Sequence, residues 1–235
     1  MTGYRLTRFP TRGIFAFVAL LWLAFAVVIG LVLTGIAVFG TVTESVWDNA
    51  VQVSMWFAFG FTAWMTYKYL PVYVAHGITR REYAARVVGF VGVLAVLMAV
   101  LTALGYLAEA GVYALADWPH SLAAERHFRS AAEVPLVLLV QLLNFGAVSA
   151  IGALLAAAMY RNHLLGVLLL PVAAVAVGAA NVLTGTGAGV FLGKFVQLGP
   201  GSLAVGAPVC LALIALVLGG TWWLLRDVAI RPVTT

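Results

Sequence analysis

Four charges crowd into the eleven residues His76-Gly77-Ile78-Thr79-Arg80-Arg81-Glu82-Tyr83-Ala84-Ala85-Arg86, between two long apolar runs. Thr79 and Glu82 stand at the S/T-x-x-E spacing, in which the hydroxyl caps the third residue's amide and the carboxylate reaches back to the Thr amide. The spacing predicts a helix starting near Arg80, polar for about two turns and then continuous with, or hinged to, the apolar Val87-Val88-Gly89-Phe90. Glu82 closes the cap and can pair with Arg86 one turn later. Arg80 and Arg81 are then left to reach acidic or carbonyl groups on a soluble partner. The plainer role of these charges is topological, since Lys and Arg in short connections fix the orientation of almost any polytopic chain.

The other chemistry-bearing residues give less. Gln141 and Asn144 lie one turn apart in one apolar run and Asn181 in the next. Amides at membrane depth either glue helices together or line a substrate path. Ser149 sits in Gly146-Ala-Val-Ser-Ala-Ile-Gly152, but a serine nucleophile needs a base, and His76, His120, His127 and His163 all fall in or beside connections. Asp117, His120, Glu125 and His127 are metal-donor types at no standard metal spacing, so no metal is expected. The Gly-rich stretch from Gly185 to Gly201 lacks the G-x4-GK-[ST] order of a phosphate loop; its composition suits a re-entrant segment, tolerated at depth only where protein buries it. Cys210 reads as a small apolar filler.

These residues are positioned by a membrane framework. Of 235 residues, 64% are hydrophobic and 9% charged, against about 25% charged in soluble domains. Crossing ~30 Å of hydrocarbon takes about 20 helical residues. Six stretches reach that length: Gly13 to Thr43, Asn49 to Tyr67, Val87 to Ala108, Val134 to Tyr160, Leu164 to Thr184 and Leu203 to Leu225. They are continuously apolar instead of alternating, which selects helices over barrel strands. The expected fold is an all-α integral membrane protein, one domain over residues 1-235, with six transmembrane helices and a polar helix between the second and third. The first run is too long for a cleavable signal peptide and has no clear small-x-small site after it.

Charge sets the orientation. On this plan Arg5, Arg8, Arg12, Lys68, Arg80, Arg81, Arg86, Arg161, Arg226 and Arg231 share one side, and only Arg126, Arg129 and Lys194 the other. Ten against three places both termini in the cytoplasm. The acids Glu44, Asp48, Glu109, Asp117, Glu125 and Glu133 lie outside. The formal charge of +5 is therefore a topology signal, and with no basic stripe interleaved with aromatics, nucleic acid is not an expected partner.

Loops and packing faces follow from composition. The basic segment Met1 to Arg12 suits an interfacial position on anionic headgroups or a bare tail. Trp56, Phe57, Phe59, Phe61 and Trp64 form an aromatic stripe for lipid or core packing. The segment Glu109 to Glu133 is the longest outside connection, with Tyr113, Trp118 and Phe128 as apolar handles for an amphipathic piece on the outer leaflet. In the fourth span Gly146, Ala150, Ala153 and Ala157 share a small-residue face for close helix contact, within the subunit or between subunits. Leu should be excluded there and tolerated at Val148.

The string Gly77-x-Thr79-Arg80-Arg81-x-Tyr83 between a second and third span resembles the coupling region of ABC-2 type transporter permeases, and the six-span plan resembles theirs too. The resemblance implies a bacterial plasma-membrane permease subunit of an ATP-driven exporter. Thr79, Arg80, Arg81, Glu82, Tyr83 and Arg86 would form a coupling helix on which a separate ATPase docks. It implies a homodimer or paired permease, no catalytic residue and no cofactor in this chain, with ATP and Mg on the partner. The chain itself has no Walker A string and no soluble stretch beyond about 25 residues. A non-transporting scaffold or assembly subunit needs only the packing faces and loops. A secondary transporter should carry ionisable residues within its spans, and none lies centrally in any of the six.

Overall fold

A computed structural model describes residues 11–119, 121–124, 126–186 and 201–229. Among these residues there are six α-helices and no strand: α1 (Thr11–Phe39), α2 (Val46–Ala75), α3 (Arg80–Ala116), α4 (Val134–Arg161), α5 (His163–Leu183) and α6 (Leu203–Arg226). Five of them, α1 from Ala16 onward and α3 to α6, are long and apolar enough to cross a membrane. The chain is thus a multi-pass helical membrane protein. The expected second span falls inside α2, which at 30 residues has the length. Asp48, Asn49, Gln52 and Lys68, with tyrosines toward its end, dilute its hydropathy.

The helices begin and end where local chemistry directs. Ser45 caps α2, its hydroxyl accepting from the Asp48 amide at 3.0 Å. Gly77, at φ 85°, turns the chain from α2 into α3 in a conformation that costs a residue without Cβ nothing. Of the two arrangements expected for the polar turns before Val87, continuous or hinged, the structure has the continuous one: α3 runs unbroken for 37 residues, about 55 Å at 1.5 Å per residue. Its polar first turns and its membrane part form one rod. It also overruns the expected stop at Ala108, ending where Asp117 adopts a left-handed φ of 54° and its amide bonds Tyr113 O. Asn162 closes α4 with its amide on Ala158 O (2.8 Å) and opens α5 by accepting from Leu164 N (2.9 Å). A single residue thereby makes the hairpin.

Successive helices run antiparallel. At one end, the Arg80 end, the finish of α2, start of α3, hairpin of α4 and α5 and finish of α6 meet around Leu70, Tyr73, Tyr83, Tyr160, Leu225 and Val228. At the Trp47 end, the starts of α2 and α4 and the last turns of α3 meet around Trp47, Tyr106, Phe128 and Val137. α4 is the axis, packed by α2, α3, α5 and α6. Its Gly146, Ala150, Ala153 and Ala157 are buried as the small-residue pattern predicts, and the contact is within this chain: Gly146 faces Ile214 of α6 and Ala95 of α3. The expectation of one tight face is too narrow. Val148 and Leu155 are buried as well, because from Leu143 onward α4 has neighbours on nearly every side.

Close approach is enforced by glycines. A Cβ on Gly152 would stand 2.5 Å from Phe59 O of α2, and one on Gly206 2.6 Å from Leu183 O of α5. Without a hydrophobic drive between helices in lipid, such contacts carry the association. α1 is the exception. It leans on α2 through Phe17 on Phe61 (5.8 Å) and Trp22 on Trp47 (5.5 Å), and touches α3 by Trp22 Nε1 on Met98 Sδ (3.2 Å). Most of its length faces outward.

Candidate functional site

The Arg80 end carries the capped turn expected there. Thr79 Oγ1 accepts from Glu82 N at 3.2 Å, and Thr79 N donates to a Glu82 carboxylate oxygen at 3.0 Å. Both orphan donors of the first turn are satisfied reciprocally, so Thr79 and Glu82 fix where α3 starts. Arg81 and Glu82 are exposed and Arg80 half-buried. Tyr83 points the other way: it is fully buried, donating its hydroxyl to Thr66 O (2.9 Å) and Met65 O (3.2 Å). It bolts the start of α3 to α2 and presents nothing to a partner. Arg86 lies over the Tyr73 ring, 5.7 Å from its centroid. Nearby, Arg161 covers Trp223 at 5.3 Å and Arg226 covers Trp222 at 5.4 Å. Arginines braced on aromatic faces line this end, an arrangement suited to a membrane interface.

The amides Gln141, Asn144 and Asn181 are all sealed inside. Asn144 Nδ2 donates to Thr186 Oγ1 (3.0 Å) and lies 2.7 Å from Met55 Sδ, and Thr186 Oγ1 donates onward to Asn181 O (3.1 Å). Gln52 of α2 reaches the same turn, Nε2 to Thr186 O at 3.1 Å. This chain ties α2, α4 and the end of α5 together, as interhelical glue does. Gln141 is different. Neither end of its amide has a partner among the described residues, nor do Asn144 Oδ1 and Asn181 Oδ1; an unmade buried hydrogen bond costs about 1–3 kcal/mol.

At the Trp47 end lies a network not anticipated from composition. Asp48 Oδ1 sits 2.7 Å from Arg126 Nε and accepts from the Tyr106 hydroxyl at 2.5 Å, while Oδ2 accepts from Ala123 N at 3.1 Å. Arg126 Nη2 also donates to Asp48 O at 3.2 Å. Beside them Glu109 accepts from Trp47 N at 2.8 Å and from the Ser45 hydroxyl. Asp48, Glu109 and Arg126 are buried. The segment expected to lie on the outer leaflet instead folds over the bundle, with Phe128 in the core and Ser45 N held by Ser121 O at 3.0 Å. Between 117 and 133 its described residues form turns and bends and no helix. One sequence signal pointed here: Ser45-x-x-Asp48 repeats the cap spacing of Thr79-x-x-Glu82, marking Asp48 as the first turn of a helix instead of a loop charge.

His120 and Glu125 of the considered metal set, the segment Met1 to Pro10, and Lys194 with most of the Gly-rich re-entrant stretch lie outside the described residues. Among described residues no group of three or more His, Cys, Asp or Glu could hold a metal. Cys210 is buried, within 3.7 Å of Leu143 O. Comparison with protein-family models, curated proteins and solved structures returns no match.

Proposed function

We propose that this chain is the membrane-spanning permease subunit of an ATP-driven exporter of the ABC-2 type, working with a separate ATPase that docks at the Arg80 end. The observation that carries the reading is the start of α3. A reciprocally capped turn exposes Arg81 and Glu82, with Arg80 beside them, and belongs to the same unbroken helix as Tyr106 and Glu109 at the far end. A push on this turn is a push on the whole rod, and Tyr83 transfers it to α2 through Thr66 and Met65. The excess of Lys and Arg at this end supports its being cytoplasmic, with both termini on that side of a bacterial plasma membrane. ATP and Mg belong to the partner, and two copies, or this chain with a similar permease, would form the path.

Arg80→Glu with Arg81→Glu tests it. The tagged chain, purified from its native membranes, should carry Mg-dependent ATP hydrolysis. The double variant, inserted at normal levels, should lose at least about tenfold, or ~1.4 kcal/mol of docking. A wild-type preparation free of ATPase, or an unaffected variant, refutes the docking role and leaves these arginines as topology charges.

A second reading, a non-transporting scaffold, is favoured by the sealing of Gln141, Asn144 and Asn181: within one chain all three amides, and Ser149 beside them, are buried. Gln141→Leu separates the two. A scaffold gains stability by losing an unpartnered amide, whereas a path lined by Gln141 loses transport.

A further inference from the structure

We propose that the groove between α1 and α2 binds one acyl chain of an anionic phospholipid, whose headgroup is held by Arg86 and Lys68. The groove encloses about 630 Å³ between Gly13, Phe17, Trp56, Gly60, Phe61 and Tyr69, within the ~300–1,000 Å³ range of small-molecule sites. Two missing side chains make it: a Cβ on Gly13 or on Gly60 would meet no atom within 4 Å. From Trp56 to Tyr69 the wall is about 20 Å long at 1.5 Å per residue, enough for one leaflet's share of a ~30 Å hydrocarbon core. The walls are apolar and aromatic, and α1 rests on α2 through the Phe17–Phe61 stack, so the space is narrow, elongated and open sideways to lipid. A straight hydrocarbon chain fits that shape.

Charge at one mouth selects the headgroup. Trp64 meets Tyr69 at 5.8 Å, Tyr69 meets Tyr73 at 6.2 Å, and the Arg86 guanidinium lies 5.7 Å over Tyr73. The aromatic wall thus leads directly to a cation. Phe90, one turn beyond Arg86 on α3, reaches Phe61 in the groove at 5.9 Å, which puts Arg86 on the groove side of α3. Lys68, exposed, precedes Tyr69. The acid one turn from Arg86, Glu82, accepts from the Thr79 amide and also attracts Arg86, so Arg86 and Lys68 together still leave this mouth net positive. A guanidinium carries five N–H donors, so one placed over a ring and otherwise engaged can still donate to phosphate oxygens. A net negative headgroup is therefore preferred over a zwitterion.

Native mass spectrometry of the purified full chain, titrated with phosphatidylglycerol and with phosphatidylcholine, tests the proposal. Retention of phosphatidylglycerol should exceed that of phosphatidylcholine by about tenfold or more. Gly60→Leu puts a side chain into the groove from a position where a Cβ meets no atom within 4 Å, and should abolish the retained lipid of either kind. Arg86→Gln with Lys68→Gln should remove the difference between headgroups. Should that variant fail to fold, Lys68→Glu at an exposed side chain carries the same arm and should narrow the preference. Equal retention of the two lipids by wild type, unchanged retention in Gly60→Leu, or loss of a dimer instead of lipid in Gly60→Leu overturns it.

Discussion

Asp48 and Arg126 offer the sharpest energetic test of how the bundle's Trp47 end is held. Their side chains are 6% and 4% exposed and 2.7 Å apart. Removing one member of such a pair strands the other and costs about 3–5 kcal/mol, and the structure says which loss is worse. In Arg126→Met the carboxylate keeps the Tyr106 hydroxyl and the Ala123 amide, so the cost should fall near ~3 kcal/mol. In Asp48→Asn the guanidinium keeps only the Asp48 main-chain oxygen, and the cost should approach ~5 kcal/mol. The double variant buries no charge at this pair and keeps an Asn hydrogen bond, so it should lose only about 1–2 kcal/mol. The coupling is then well above ~2 kcal/mol, against the ~0.5 kcal/mol scatter of independent sites. SDS-driven unfolding in micelles, followed by tryptophan fluorescence, measures all three, because Trp22 and Trp47 stack in this region. Additive single costs, or an Asp48→Asn no worse than Arg126→Met, would refute a working ion pair here.

Two further outcomes separate packing from composition and fix the orientation. Gly152→Ala drives a methyl toward Phe59 O and should destabilise by about 1–3 kcal/mol; Gly89→Ala in α3 meets nothing within 4 Å and should stabilise by up to ~1 kcal/mol, both read by the same SDS titration. In a Cys210→Ser background, single cysteines at positions 80 and 161 should resist an impermeant thiol reagent in intact cells, while one at 117 should label; labelling at 80 would overturn the orientation and the ATPase docking together.

What the sequence disclosed was local. Thr79 and Glu82 are three residues apart and their hydrogen bonds are mutual, so the start of α3 needs no knowledge of the fold. The same holds for the apolar runs that became α1 and α3 to α6. What it hid was long-range. Arg126 reaches Asp48 across 78 positions; the Ser45-x-x-Asp48 spacing marks Asp48 as a first-turn residue but not its burial or its partner, and nothing around Arg126 distinguishes it from a solvated loop charge. Phe128 and Tyr113 advertised themselves as surface anchors because apolar residues in a polar segment suit a leaflet as well as a core. On α4 a period of three to four in small residues was read as one face, but from Leu143 to Ala158 the helix is buried on nearly every side by four others, and only the contacts reveal that. Tyr83 shows the same limit at the candidate site. It sits inside the string that suggests coupling, yet its hydroxyl belongs to α2.

α3 connects these two kinds of information. At its first turn the chemistry is exposed, capped and charged; at its last turns Tyr106 and Glu109 hold Asp48 and Ser45. The helix contains no proline, while α2, α5 and α6 carry Pro71, Pro171 and Pro208 within them, so α3 lacks the proline kink site that those three have. As one unbroken helix it joins the two ends directly. Motion at Thr79 must then either strain the Asp48–Arg126 pair or carry Asp48 along through α2, to which α3 is bolted by Tyr83 at one end and by Tyr106 at the other. Because both bolts join the same two helices, the second course is the cheaper: α2 and α3 travel together, and the contact that yields is the one between Asp48 and the segment bearing Arg126 and Ala123. Weakening that contact with Arg126→Met should loosen the segment to proteolysis while leaving the capped turn of α3 unchanged. Loss of order at Thr79 in that variant would show that the two ends are coupled by more than one rigid helix pair.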